Sequence, residues 1–182
     1  MSEKHSVLMV CFSNMCRSPI AEAVFKHLIK KAGIGSKWKV DSAAISANHI
    51  GEKANDRALL TLRNHKVPYN SKARQVNASD FEEFDYIFGM DSKNISDLER
   101  MAPENCKAKI GLLGAYDPQK ELIISDPYFG MKNAINSVLD RAQHSSSNIS
   151  NLNVIVGIRG GATLGTPRMI MDIVKFLIRR MN

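Results

Sequence analysis

Residues Val7 to Ser18 read Val-Leu-Met-Val-Cys-Phe-Ser-Asn-Met-Cys-Arg-Ser, and Pro19 follows at once. An apolar run of strand length ends at Cys11, and a short turn leads to Arg17. A helix is predicted to open there, with Ser18 as N-cap and Pro19 at the first helical position. Cys11 then stands where a strand ends and Arg17 where a helix begins. Such a turn gathers backbone N–H groups and the positive end of a helix dipole into one concavity, which suits a tetrahedral oxyanion. The same field favours thiolate over thiol in the cradle. Arg17 adds a planar fork of donors that matches two phosphate oxygens. A nucleophile, an anion cradle and a clamp outline a cysteine-dependent phosphatase. Cys-x5-Arg spacing is weak evidence by itself, and the strand–turn–helix context is what raises it. The competing reading is a buried strand-end thiol beside a surface charge.

The rest of the chain repeats the pattern of strand, turn and helix. Strands are predicted at 5–11, 38–45, 85–90 and 109–113, and helices at 18–32, 56–65 and 92–101, with a short helical turn opening at Ala78–Asp80. Gly33 and Gly35 stop the first helix, Pro68 closes the segment after the second, and a loop is expected after the fourth strand. This alternation argues an α/β fold, a doubly wound, four-stranded parallel sheet flanked by helices, with the turn after the first strand at its carboxyl edge. After Gly130 a helix is expected over 132–143, then a polar stretch at 144–151, a short strand near 153–158 and an apolar helix from Pro167 to Met181. The domain is therefore drawn at 1–143, with 144–182 a divergent segment packed on it.

Composition narrows the partners. The 182 residues fit one domain, and no apolar run approaches the ~20 residues of a membrane helix. The N-terminus lacks the apolar core of a signal peptide, and three cysteines make no secreted disulfide framework. No zinc-ligand spacing is present, so neither a metal nor another cofactor is expected, and a cytoplasmic location fits best. The net charge of +7 is scattered among few aromatics, which argues against nucleic acid and suits attraction of phosphorylated substrates.

A thiolate that attacks phosphorus needs a proton donor in line with the departing oxygen. Asp126, followed by Pro127 and Tyr128, lies in the loop after the fourth strand and can reach a cradle at that edge. Tyr128 offers a flat wall to an aromatic leaving group. Asp117-Pro118 is a second Asp-Pro pair in the same loop, and spacing does not choose between them.

The run from Val10 to Ala23 resembles the signature loop of the low-molecular-weight protein tyrosine phosphatases. Trp38 to Ala44, Ala73 to Asp91, and Cys106 to Tyr128 agree in order, so the resemblance covers about residues 5–143 and looks close to the animal cytosolic form. It implies Cys11 as nucleophile forming a phosphocysteine, Arg17 as phosphate clamp and Asp126 as general acid and then base. It also implies that Phe12, Ser13, Asn14, Met15, Cys16 and Ser18 surround the phosphate, with Asn48 and Tyr128 at the substrate walls. Asn14 would shape the loop, Ser18 would donate to the Cys11 sulfur, Ser42 would brace Asn14, and Cys16 would pair with Cys11 under oxidation. Substrates would be phosphotyrosine proteins and small aryl phosphates, and the protein a monomer or weak homodimer.

The chain departs from that pattern at named places. Ser13 stands where the family usually has Gly, Asn48-His49 where an aromatic wall is usual, Ser71 where a supporting His is usual, and Phe129 where a second Tyr is frequent. Two other classes stay open. An arsenate reductase-like enzyme of the same fold would need a later cysteine pair, and only Cys106 follows the loop. A catalytically weak phosphoprotein-binding relative is separated by turnover.

Overall fold

The computed structural model describes residues 5–116 and 122–126. Its core is a four-stranded sheet, every pair parallel, of β1 (His5–Cys11), β2 (Trp38–Ala44), β3 (Tyr86–Gly89) and β4 (Lys109–Leu112) in the spatial order β2-β1-β3-β4. β1 is central and pairs along its whole length with β2, from His5 opposite Trp38 to Cys11 opposite Ala44. A strand covered on both faces needs an unbroken apolar run, and Val7–Cys11 supplies it.

The two faces separate by the period of two. Val7, Met9 and Cys11 pack against Ala21, Phe25 and Ile29 of helix α1 (Arg17–Lys31). Leu8 and Val10 face Phe81 of α3 (Asp80–Glu83) and Leu98 of α4 (Ser92–Met101). A second stripe of α1, Ala23, Val24 and Leu28, meets Leu62 of α2 (Asp56–Asn64). Helices on both faces make the sheet doubly wound, as expected. The strand order turns back between β1 and β3, where such sheets place their ligand crevice.

Several expected boundaries move, for physical reasons. α1 begins at Arg17, so Ser18 is not its N-cap and Pro19 is not its first residue. Pro19 is tolerated two positions further in, as the third helical residue, because N–H groups throughout the first turn lack intrahelical partners anyway. Cys16 stands at the cap without a side-chain bond, since Ser18 spends its hydroxyl on the loop. At the other end Gly33 has φ +70°, with its N–H on Lys30 O and that of Ile34 on Ile29 O, the paired bonds of a glycine C-cap. Asp85 falls outside β3 because its carboxylate takes both the backbone N–H and the hydroxyl of Ser6. A 3-10 helix, Leu113–Tyr116, replaces the start of the expected loop after β4, with Leu113 fully buried. Asp117-Pro118, Tyr128, Phe129 and every element expected beyond Gly130 lie outside the described residues. Among the described residues no helix is long and apolar enough to cross a membrane.

Candidate active site

The carboxyl end of β1 opens into the turn 12–16, which is pinned from the β2 side. Ile45 N–H bonds Cys11 O, Ser46 N–H bonds Phe12 O, and Asn55 N–H bonds Met15 O at 2.8 Å. The segment 45–55 therefore runs along the turn, tied at both ends, and carries the exposed Asn48 and Ile50. Phe12 is 45% exposed, while Ser13, Met15 and Cys16 are partly covered.

Beneath the turn lies a buried polar cluster. Cys11 Sγ is 3.1 Å from Ser18 Oγ. Asn14 adopts φ +53°, a left-handed angle that Asn accepts more readily than most residues. That angle turns its side chain inward, where Nδ2 donates to Ser18 Oγ and to Ser42 Oγ, both at 2.9 Å. Asn14 Oδ1 accepts the backbone N–H of Arg74. The strand-like contact of Ala44 with residues 74–76 delivers that N–H. Arg74 is itself held by Asp41 and by both carboxylate oxygens of Asp80.

Ser42 Oγ in turn donates to Glu22 Oε2, and Ser71 Oγ donates to Glu22 Oε1 at 3.0 Å. Ser71 therefore joins the polar cluster through Glu22. The sequence reading assigned no role to Glu22, to Arg74 or to Asp91. A Glu four residues before Lys26 on an otherwise apolar helix face was the available signal.

Arg17 closes the other side. Its NH1 donates to Asp91 Oδ2 at 2.6 Å and to Ile124 O at 3.0 Å, and its NH2 donates to Asp126 Oδ2 at 2.7 Å. Asp91 is placed by β3 and α4 together. It caps α4, where its Oδ1 accepts Asn94 N–H, and Gly89 allows that helix to approach. The guanidinium is buried, with 5% of the side chain exposed, and its Nε–H has no acceptor among the described residues. A buried charged donor without a partner is costly in a resting protein and useful to one that binds an oxyanion. Asp126 thus meets Arg17, one turn of chain from Cys11.

Burial, helped by negative charge at Cys11 and Asp126, pushes the Cys16 thiol up from 9.0 to about 11, against the pull of Arg17 and Arg57. The raised value means a neutral thiol is favoured by folding. That contribution is intact below about pH 9 and is lost as pH climbs toward 11. Alkylation of Cys16 in the native protein is expected to be very slow at neutral pH and to rise about tenfold per pH unit until close to pH 11. Peptide mapping after timed iodoacetamide treatment checks this, and a fast, pH-independent Cys16 would refute it.

Residues 6–153 match the family model described as low molecular weight phosphotyrosine protein phosphatase. The chain is similar to the phosphatase of that name from Homo sapiens, 51% identical over 127 residues, which span 69% of this chain and 80% of the human one. It is 48% identical over 141 residues to that of Gallus gallus, spanning 76% of this chain and 89% of the relative. The crystal structure of a protein tyrosine phosphatase from Entamoeba histolytica, with Hepes in its active site, superposes with a TM-score of 0.70 at 29% identity, covering 97% of this chain and 96% of that one.

Proposed function

This chain belongs to the low molecular weight phosphotyrosine protein phosphatase family, and from that premise we propose how its own residues hydrolyse phosphotyrosine. The observation that carries the reading is one constellation. A strand-end Cys11 bonded to Ser18 lies in the same loop as a buried Arg17 that already holds Asp126. The Cys11 thiolate attacks phosphorus as the bond to the tyrosyl oxygen breaks, and Asp126 in its acid form gives that oxygen its proton. The phosphorus is then bound to sulfur. Asp126, now a carboxylate, takes a proton from water as the water oxygen attacks phosphorus. The P–S bond breaks, phosphate leaves, and Ser18 O–H receives the returning thiolate charge.

Arg17 serves both steps with NH2 and the unpartnered Nε, while Asp91 and Ile124 O hold NH1 and set the plane of the fork. Phosphotyrosyl proteins and small aryl phosphates are the substrate class, with Tyr128 and Asn48 as candidate walls. Three free cysteines support a reducing, cytoplasmic setting, and the reading carries a monomer or weak homodimer that needs no metal.

The test is hydrolysis of a phosphotyrosyl peptide and of p-nitrophenyl phosphate with EDTA present. Turnover is expected in both, with a labelled phosphoprotein trapped on acid quench, and no turnover by folded protein would refute the phosphatase reading. Asp126→Asn keeps the shape of the side chain and a partner for Arg17 but has no proton to give. It is expected to lower kcat by about 10^2- to 10^4-fold on the peptide. The loss should be smaller with an aryl phosphate whose leaving group is acidic, and an equal loss on both would remove Asp126 from the general-acid role.

A further inference from the structure

We propose that the cleft between α2 and residues 67–71 is a second binding site, one for a small apolar anion. The ligand class is a carboxylate or sulfonate carried on an aromatic or alicyclic body.

The cleft encloses about 500 Å³, within the range of sites that take small organic ligands. Its floor is apolar. Leu59 and Leu62 come from α2, and Val67, Pro68 and Tyr69 come from the segment that follows it. The end of α2 folds the two together. Val67 N–H bonds Leu62 O at 2.9 Å and Lys66 N–H bonds Arg63 O at 3.0 Å, the paired bonds of a Schellman turn. Lys66, at φ +57°, holds the left-handed position that glycine usually fills, so this turn keeps a cation where the backbone would prefer none. No lining residue belongs to the phosphate cradle, although Asn55, two residues past Lys53, holds Met15 of the catalytic turn.

The rim is cationic. Lys53 and Arg63 line the cleft, both exposed, and neither makes an ion pair or a side-chain hydrogen bond among the described residues. Lys53 also stands directly opposite Lys72 across an antiparallel bridge, framed by the bonds of Gly51 N–H to Ala73 O and of Ala73 N–H to Glu52 O. Directly opposed residues share a face, so two like charges meet there and repel. Lys72 has no acidic partner among the described residues either. The carboxylates nearby are spent elsewhere, and none lines the cleft. Glu52 is paired with His49, and Asp56 lies in the first turn of α2, where the helix dipole favours it. Glu22, behind Tyr69, is fully buried and paired with Lys26.

An anion seated between Lys53 and Arg63 relieves this repulsion, and low-dielectric walls strengthen the attraction. An apolar body on the same ligand covers Leu59, Val67 and Tyr69 and gains their burial. Bare phosphate lacks the body, and a neutral ring forgoes the cations.

The test is a fluorescence titration with anilinonaphthalene sulfonate, an apolar anion that brightens on leaving water. Inorganic phosphate is present throughout at saturating concentration to occupy the cradle at Arg17. Saturable binding is expected, and Arg63→Glu and Lys53→Glu should each weaken it about tenfold. Both side chains are exposed, so charge reversal leaves the core packing alone, and an unchanged thermal midpoint without dye checks that. Lys107→Glu makes the same change in net charge at an exposed residue on the α3 side of the sheet, and should move Kd less than about twofold. The neutral analogue phenylnaphthylamine should bind about tenfold more weakly than the sulfonate. Absence of saturable binding would overturn the proposal, as would a loss in either rim variant no larger than in Lys107→Glu. Equal affinity for the neutral dye would leave an apolar cleft without anion preference and overturn it too. Fluorescence reads this site without turnover, so failure of the phosphatase reading and failure of this one are told apart.

Discussion

Cys11→Ser is expected to lower phosphotyrosyl peptide turnover by about 10^4-fold or more while the protein stays folded. Serine nearly matches cysteine in volume, and Cys11 packs among Met9, Ala21, Phe25 and Met90, so the change leaves no large void. What it removes is the thiolate. A serine hydroxyl in the same place remains protonated, and no base is bonded to it. Ser18 is the group within reach, its hydroxyl 3.1 Å from the Cys11 sulfur, and a serine hydroxyl is no base. The cradle and Arg17 are untouched, so inorganic phosphate should still bind and protect the variant against thermal unfolding. Loss of turnover with phosphate protection retained separates a missing nucleophile from a collapsed loop. Residual turnover within about tenfold of native would mean that Cys11 is not the attacking group.

Arg17→Lys is the second large effect, expected at about 10^3-fold or more in kcat/KM. Lysine keeps the positive charge, so the comparison isolates geometry. Arg17 contacts three groups at once, Asp91 and Ile124 O through NH1 and Asp126 through NH2, and still presents Nε–H. A single ammonium has three donors on one tetrahedral centre and cannot span these directions while gripping two phosphoryl oxygens. Two carboxylates, Asp91 and Asp126, would compete for that one centre, which blunts its grip on phosphate further. Kinetics with phosphate inhibition measure both arms. If Arg17→Lys retained phosphate affinity and turned over within about tenfold of native, charge and not the fork would be what counts.

Much of the fold was legible because its signals are local. The apolar run Val7–Cys11 identifies a strand covered on both faces, and α4 forms over the 92–101 that its pattern predicts. The start of α1 was misread for an instructive reason. Ser-Pro is ordinary cap chemistry, and nothing within the segment reveals that the Ser18 hydroxyl is claimed by Cys11, seven residues back, and by Asn14. Competition for one hydroxyl is decided by what folds around it.

The same division runs through the site. Cys11 and Arg17 were within reach of a sequence reading because their chemistry needs residues six apart on one strand–turn–helix unit. Asp126 was not separable from Asp117 by spacing, and its placement rests on a guanidinium contact spanning 109 residues. Glu22 and Asp91 have local partners, Lys26 four residues on and the Asn94 N–H that Asp91 caps, but nothing local ties them or Arg74 to the site. Their partners there lie 20 to 74 residues away, on strands and loops that adjoin only once the parallel sheet has closed. Local backbone and hydrophobic preferences therefore sufficed to specify most of the elements and to set Cys11 and Arg17 on one strand–turn–helix unit. Which buried hydroxyl donates to which acceptor, and which carboxylate meets Arg17, is a property of long-range packing. A buried polar atom must find its partner among whatever groups the core brings alongside it.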